Sequence, residues 1–241
     1  MRDFATEFGL GAQSEYLQSG PKAAKGRGAR TLLIAALLLI APAQGCGDGS
    51  GDGSSRNDAA NGFRGVVLEP GPRPDFTLID TGGRPFDFRR ETDGKVALLF
   101  FGYTHCPDVC PVQMAGIAAV LRDLPWEIRD RIEVVFVTTD PARDTPDRLR
   151  DWLSEFDPAF VGLRGGMEEI NRIQAGLDLP PSVRLSAAPV EGDSYEVGHA
   201  AQVLAFAPDG RMRLAYPFGT RQADWKHDLP RLAAAKTRPG S

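Results

Sequence analysis

The chain has 241 residues, of which 42% are hydrophobic and 25% are charged, a composition typical of one globular domain with some additional segments. Its formal net charge is −4 at pH 7, and its globular part contains no tract rich in lysine or arginine. Composition and charge therefore argue against nucleic acid as a partner.

Residues 1–46 have the pattern of an export signal. Four basic residues precede an apolar run from Leu32 to Ala41, and small residues lead from there to Cys46. The run is shorter than the roughly 20 residues of a comfortable membrane-spanning helix. A cysteine directly after Gly45 is typical of a bacterial lipoprotein signal, so we expect a lipid anchor at Cys46, with an uncleaved signal anchor or plain secretion as alternatives. The two anchored forms place the protein at the bacterial inner membrane, with its domain on the periplasmic side.

Residues 47–62 read GDGSGDGSSRNDAANG and contain almost nothing apolar. Such a segment cannot bury enough surface to offset its ordering entropy, which predicts a flexible linker. The folded domain is therefore expected to span residues 63–241.

The first predicted elements form a hairpin, with strands at 76–79 and 85–88 around the turn at 80–83. The continuous apolar run 95–102 then predicts a strand covered on both faces. Helical spacing follows at 112–124, and a second buried strand is predicted at 132–138.

The remaining elements follow the same reasoning. The sequence Asp144-Thr145-Pro146 places a capping residue just before a proline and predicts the start of a helix. A further helix is predicted at 167–177, a hairpin with strands at 202–207 and 211–216 around a Pro-Asp-Gly turn, and a last helix at 221–235.

This alternation of strands and helices predicts an α/β fold. We expect a thioredoxin-like mixed sheet flanked by helices, with an added N-terminal β-hairpin and an insertion around residues 140–200. Open α/β sheets place their ligands at the carboxyl ends of the strands, which is where the strand at 95–102 meets a pair of cysteines.

The cysteine motif, residues 101–111, reads FGYTHCPDVCP. Cys106 and Cys110 stand four residues apart at a strand-to-helix junction, a spacing that brings their side chains together. The helix N-terminus is expected to lower the pKa of both thiols. Thiolates are nucleophiles in disulfide exchange and soft ligands for Cu(I), and the spacing by itself also allows a structural disulfide.

The motif resembles the Sco/SenC family, and two further blocks carry the same resemblance. Residues 139–146 (TDPARDTP) are similar to the family's TVDPxRDTP segment. Residues 194–199 (SYEVGH) are similar to its YxVDH segment, with a strand and a Pro-Asp-Gly turn following as in the family. Gly198 stands where the family usually has aspartate, so any tuning of the histidine or the bound metal by that aspartate is absent here or supplied by another residue.

The resemblance implies a copper site and a role in assembly. Copper would be bound by Cys106, Cys110 and His199, a set that suits Cu(I) and can also hold Cu(II). The implied function is a metallochaperone for the dinuclear copper centre of cytochrome c oxidase. Its partners would be the oxidase's copper-bearing subunit, other periplasmic copper chaperones or thiol reductases, and the membrane through the N-terminal anchor.

Two other functions compete with metal delivery. Cys106 and Cys110 could exchange disulfides with the cysteines of the oxidase, in which case His199 would be dispensable. A peroxidase would usually need a positively charged neighbour to activate a single cysteine, and neither lysine nor arginine lies near Cys106 in the sequence.

Other polar residues of the motifs are given structural roles. His105 is expected to point away from Cys106, and His227 to be an exposed helix residue. Asp140 and Arg143 follow the second buried strand, where capping and loop fixing are expected rather than chemistry. For Asp108, a functional role (an electrostatic influence on the cysteines or contact with a partner) and simple exposure to solvent remain equal alternatives.

Overall fold

The computed structural model describes residues 62–185 and 195–235. These residues form an eight-stranded mixed sheet with helices on both faces, and a separate two-stranded sheet. The large sheet consists of β1 (Val66–Val67), β2 (Thr77–Asp80), β3 (Pro85–Asp87), β4 (Val96–Gly102), β5 (Ile132–Thr138), β6 (Val161–Arg164), β9 (Val203–Phe206) and β10 (Met212–Tyr216). The small sheet consists of β7 (Val183–Arg184) and β8 (Val197–Gly198). The helices are α1 (Phe88–Glu91), α2 (Val109–Asp123), α3 (Trp126–Arg129), α4 (Pro146–Ser154), α5 (Met167–Ala175) and α6 (Gln222–Ala233).

Strand β4 lies inside the sheet, whose order is β1-β10-β9-β4-β5-β6-β2-β3. Strands β4, β5 and β6 are parallel, and the other neighbours are antiparallel. All residues of β4 are buried because successive side chains enter two different apolar clusters. Val96, Leu98 and Phe100 pack with α2, α4 and α6, while the residues between them pack with α1 and α5 on the other face. The predicted strand covered on both faces is confirmed.

The predicted insertion around residues 140–200 is only partly outside the sheet. Strand β6 extends the parallel part beyond β5, and the N-terminal hairpin β2–β3 then pairs with β6. The sequence analysis missed β6 because it is four residues long and contains Gly162. A Cβ at Gly162 would lie 2.7 Å from Leu153 and 2.9 Å from Leu149, so the glycine lets α4 approach the sheet closely.

The capping and turn predictions are confirmed. Thr145 caps α4 through its side chain, which accepts the backbone N–H of Arg148, and Pro146 is the first residue of the helix. The Pro-Asp-Gly turn joins β9 to β10, with Gly210 at a φ of +76°. Helix α2 begins at Val109, three residues before the predicted start, so it includes Cys110.

The signal segment 1–46 and nearly all of the linker 47–62 lie outside the described residues, as does Ser194. In residues 62–185 and 195–235, the helices are too short or too polar to cross a membrane.

Candidate metal centre

The two cysteines lie where the chain passes from β4 into α2. Cys110 is in the first turn of α2 and is fully buried, whereas Cys106 is in the preceding loop and is partly exposed. The backbone N–H of Cys110 donates a hydrogen bond to the sulfur of Cys106 at 3.4 Å. Both are free thiols, so the structural-disulfide alternative has no support in this structure.

The buried position of Cys110 depends on Gly102, the last residue of β4. A Cβ at Gly102 would lie 2.6 Å from the Cys110 sulfur and 3.0 Å from the ring of Phe136. Real Cβ atoms essentially never approach so closely. The glycine therefore provides the space that the second sulfur occupies between helix and sheet.

His199 follows β8 and completes the cluster. Its Nε2 lies 3.4 Å from the Cys110 sulfur, and its Nδ1 lies 3.0 Å from the backbone oxygen of Ala200. A carbonyl oxygen can only accept, so Nδ1 donates its proton there, and Nε2 is the ring nitrogen that faces the sulfurs. The ring of Tyr103 packs edge-to-face against the imidazole with centroids 5.6 Å apart, which fixes the ring further.

The three donor atoms lie within 4.8 Å of one another. Cys106 and His199 border a cavity of about 240 Å³ that is lined by residues of the cysteine loop and of the segment 196–201. Two sulfurs and an imidazole nitrogen with a fixed tautomer are a suitable donor set for a soft metal ion. The residues predicted as ligands are thus brought together, and their side chains fit the predicted kind of ion.

The prediction that both thiols have a lowered pKa is wrong for one of them. The pKa of Cys106 is lowered to about 3, mainly because the Cys110 thiol hydrogen-bonds to its sulfur and with a smaller contribution from His199. Burial raises the pKa of Cys110 far above its ordinary value, and the neighbouring Cys106 raises it further. Proximity to a helix N-terminus does not compensate for the loss of water around Cys110.

A buried carboxylate fixes the loop before Cys106. Asp144 is fully buried and accepts hydrogen bonds from the backbone N–H of Thr104 at 3.0 Å and from its hydroxyl at 2.7 Å. It also accepts the hydroxyl of Thr138, at the end of β5, at 2.5 Å. His105 points to this carboxylate at 3.4 Å and is not one of the clustered donors, as predicted.

A second polar group lies beside the site and includes a residue to which the sequence analysis assigned no role. Arg143 forms an ion pair with Asp140, and the hydroxyl of Tyr195 donates to Asp140 at 2.6 Å. The guanidinium of Arg143 lies 3.5 Å from the centre of the Tyr195 ring. These contacts agree with a loop-fixing role for Asp140 and Arg143. The signal for Tyr195 was its position four residues before His199, on the same face of an extended segment.

Gly198 and Asp108 both line the cavity. No side chain at residue 198 reaches His199, whose Nδ1 partner is the Ala200 carbonyl instead. The side chain of Asp108 makes no capping hydrogen bond to α2. Its position at the cavity keeps both alternatives for this residue open.

His227, predicted to be an exposed helix residue, is instead partly buried. Its Nδ1 lies 2.8 Å from a carboxylate oxygen of Asp228, which is fully buried. Helix α6 thus uses this histidine in packing, and it does not belong to the cluster of metal donors.

Comparison with known proteins identifies relatives over most of the described residues. Residues 70–234 match the family model described as SCO1/SenC. A protein of Stutzerimonas stutzeri, whose name describes it as a candidate copper-binding protein, is 37% identical over 186 residues, which are 76% of this chain and 84% of that protein. Against several mitochondrial relatives, the matched region is about half of their length.

Solved structures give the same result for the fold. ScoI of Bradyrhizobium japonicum with copper bound is 32% identical, with a TM-score of 0.58 over 68% of this chain and 99% of that one. Apo Sco1 of Thermus thermophilus is also 32% identical, with a TM-score of 0.62 over 70% of this chain and 96% of that one. The predicted thioredoxin-like fold class is confirmed.

Proposed function

This chain belongs to the SCO1/SenC family, and on that premise we propose that it carries copper for assembly of the dinuclear copper centre of cytochrome c oxidase. The observation that carries the proposal is the convergence of two sulfurs and one imidazole nitrogen within 4.8 Å. A related protein that is 32% identical has a solved structure with copper bound.

In this proposal Cys106, Cys110 and His199 are the copper ligands. Soft thiolates and an imidazole hold Cu(I) and also accommodate Cu(II). The partial exposure of Cys106 allows a partner's thiol to reach the metal from the cavity side, while the burial of Cys110 protects the opposite side from water. Copper is cargo in this scheme and leaves with the partner.

We extend the proposal to the rest of the chain. The domain at 63–241 would be tethered by the linker 47–62 to a lipid on Cys46, at the periplasmic face of the inner membrane. The copper-bearing subunit of the oxidase would be the recipient, and other periplasmic copper chaperones or thiol reductases would supply copper or electrons.

One observation favours a second function, thiol–disulfide exchange with the cysteines of the oxidase. The low pKa of the partly exposed Cys106 and the high pKa of the buried Cys110 are the properties of an attacking and a resolving thiol. Both functions need the reduced cysteine pair, so they can coexist in one protein.

A transfer assay separates the two functions. The copper-loaded full-length protein is mixed with the reduced, copper-free copper domain of the oxidase subunit, and the metal on each protein is measured after separation. We expect transfer from the wild type and none from His199→Ala, which should load copper poorly. A parallel assay gives the copper-free, reduced protein an oxidised recipient and counts the thiols released.

Transfer by His199→Ala at the wild-type level would contradict the copper proposal. Thiol release by the wild type and by His199→Ala, without copper transfer by either, would assign the protein to disulfide exchange.

A further inference from the structure

The third donor of the site lies on a different structural unit from the two cysteines. Cys106 and Cys110 belong to the junction between β4 and α2 of the main sheet, whereas His199 follows β8 of the small sheet. Strands β7 and β8 pair over two residues each. Such a short pair contributes little stability by itself, so contacts with the main sheet help to set its position relative to the cysteines.

Tyr195, just before β8, makes contacts that cross from this unit to the main sheet. Its hydroxyl donates to Asp140, which follows β5 and is 4% exposed. One face of its ring packs on the guanidinium of Arg143, and the guanidinium of Arg184 in β7 lies 3.4 Å from the ring centre. One aromatic side chain thus joins the small sheet to the carboxyl end of β5.

The direction of the chain connects these contacts to the metal donor. In an extended segment every second side chain faces the same way, so Tyr195, Val197 and His199 share a face. The burial of Val197 and the exposure of Glu196 agree with this alternation at the start of β8. A fixed Tyr195 therefore limits the positions available to His199, four residues later.

A second series of contacts leads to the same imidazole through side chains. Arg143, on the ring of Tyr195, also lies 5.8 Å from the centre of the Tyr103 ring. Tyr103 in turn packs edge-to-face against His199. Tyr195 and His199 are therefore connected twice, through the backbone of residues 195–199 and through the side chains of Arg143 and Tyr103.

The geometry points to Tyr195 as a positioning residue that holds the His199 segment against the cysteine pair. This inference rests on the proposed role of His199 as a copper ligand. Hydrogen bonds to a buried carboxylate that is paired with an arginine are among the stronger ones in proteins, and stacked guanidinium groups add to them. The buried Val197 and Ala200 keep part of the anchoring, so loss of Tyr195 should loosen the segment without unfolding the domain.

The test compares Tyr195→Leu and Tyr195→Phe with the wild type, as full-length proteins in detergent. The first measurement is backbone hydrogen exchange of the reduced, copper-free protein. Exchange in residues 195–200 should accelerate about tenfold in Tyr195→Leu, because this variant loses both the ring contacts and the hydrogen bond. The acceleration should be smaller in Tyr195→Phe, which keeps the ring and loses only the hydrogen bond to Asp140. Peptides from β4 and β5 should exchange as in the wild type.

The second measurement is the electron paramagnetic resonance spectrum of the Cu(II)-loaded protein, which reports nitrogen ligands through their hyperfine coupling. We expect the nitrogen coupling of His199 to be weakened or heterogeneous in Tyr195→Leu, and partly restored in Tyr195→Phe. The matched control is Tyr216→Phe, which removes a tyrosine–aspartate hydrogen bond, to Asp228, at another place in the fold. It should leave the exchange of residues 195–200 and the copper spectrum unchanged.

Unchanged exchange at 195–200 in Tyr195→Leu would overturn the inference, and so would faster exchange spread equally over the whole domain. If Tyr195→Leu does not fold, Tyr195→Phe decides by the same two criteria. Failure of the wild type to bind copper would contradict the proposed function alone, because the exchange measurement contains no metal.

Discussion

At the scale of single residues, the two cysteines of the site differ more than their sequence suggests. Cys106 is partly exposed and its pKa is low, whereas Cys110 is fully buried and its pKa is high. The cause is shared, because the Cys110 thiol donates to the Cys106 sulfur and thereby favours one negative charge at the exposed position. Removal of both protons therefore requires a positive ion or a partner at the site.

This asymmetry predicts the reaction of the copper-free, reduced protein with iodoacetamide. Cys106 has a pKa of about 3, so it is already a thiolate at pH 5 and its alkylation rate should be nearly constant between pH 5 and 8. An ordinary thiol would react about a thousandfold faster at pH 8 than at pH 5. Peptide mass spectrometry identifies the cysteine that is modified, and Cys110 should stay unmodified while the protein is folded.

Replacing Cys110 by alanine provides the control for this prediction. The variant removes the main cause of the low pKa of Cys106, so its alkylation rate should rise with pH again. A rate for wild-type Cys106 that climbs tenfold per pH unit would show that the hydrogen bond between the thiols does not hold in solution.

The candidate ligands themselves could be predicted from the sequence, because three motif blocks carried them in the right order. The difference between the two cysteines could not. It depends on how deeply α2 packs on the sheet beside Gly102, which a local pattern does not encode. The role of Tyr195 could not be predicted either, although the residue lies in the third block, because its partners Asp140 and Arg143 are more than fifty residues away in the sequence.

At the scale of elements, the packing of α2 on β4 determines where the second sulfur lies. Gly102 is the last residue of β4 and Gly116 lies in α2, and the space around the two glycines differs. A Cβ at Gly102 would overlap the Cys110 sulfur, whereas a Cβ at Gly116 would meet nothing within 4 Å.

Alanine at each of these glycines should therefore have opposite effects. Gly102→Ala should lower the free energy of unfolding by roughly 1–3 kcal/mol through overpacking, and should weaken Cu(I) binding by displacing Cys110. Gly116→Ala should raise the free energy of unfolding by roughly 0.5–1 kcal/mol, since alanine is the better helix former, and should leave copper binding unchanged. Urea unfolding of the reduced protein and competition with a Cu(I) chelator measure the two quantities. Equal copper affinity of Gly102→Ala and wild type would show that the sulfur can move without cost to the site.

Most elements could be predicted because they have long apolar patterns or residues that mark where a helix or turn begins. The apolar runs of β4 and β5 and the Thr-Pro start of α4 are of this kind. Strand β6 and the β7–β8 pair are too short for a periodic signal, and their pairing partners come from distant parts of the chain. The short helices α1 and α3 were missed for the same reason of length.

At the scale of the whole molecule, the topology brings three distant segments to one edge of the sheet. Because β4 and β5 are parallel and adjacent, the cysteine loop after β4 and the Asp140–Asp144 segment after β5 emerge side by side. The small sheet then places residues 195–199 across them. The three blocks of sequence similarity thus correspond to a single site, which explains why they occur together.

The most direct test of this account is X-ray absorption at the copper edge of the full-length protein loaded with one equivalent of Cu(I). We predict one bound copper per chain, with two sulfur scatterers and one imidazole nitrogen. His199→Ala should bind less copper, and the copper that it retains should lack the nitrogen; either Cys106→Ser or Cys110→Ser should lose stoichiometric binding. One equivalent of tightly bound copper that persists after loss of either cysteine would contradict the assignment of the site.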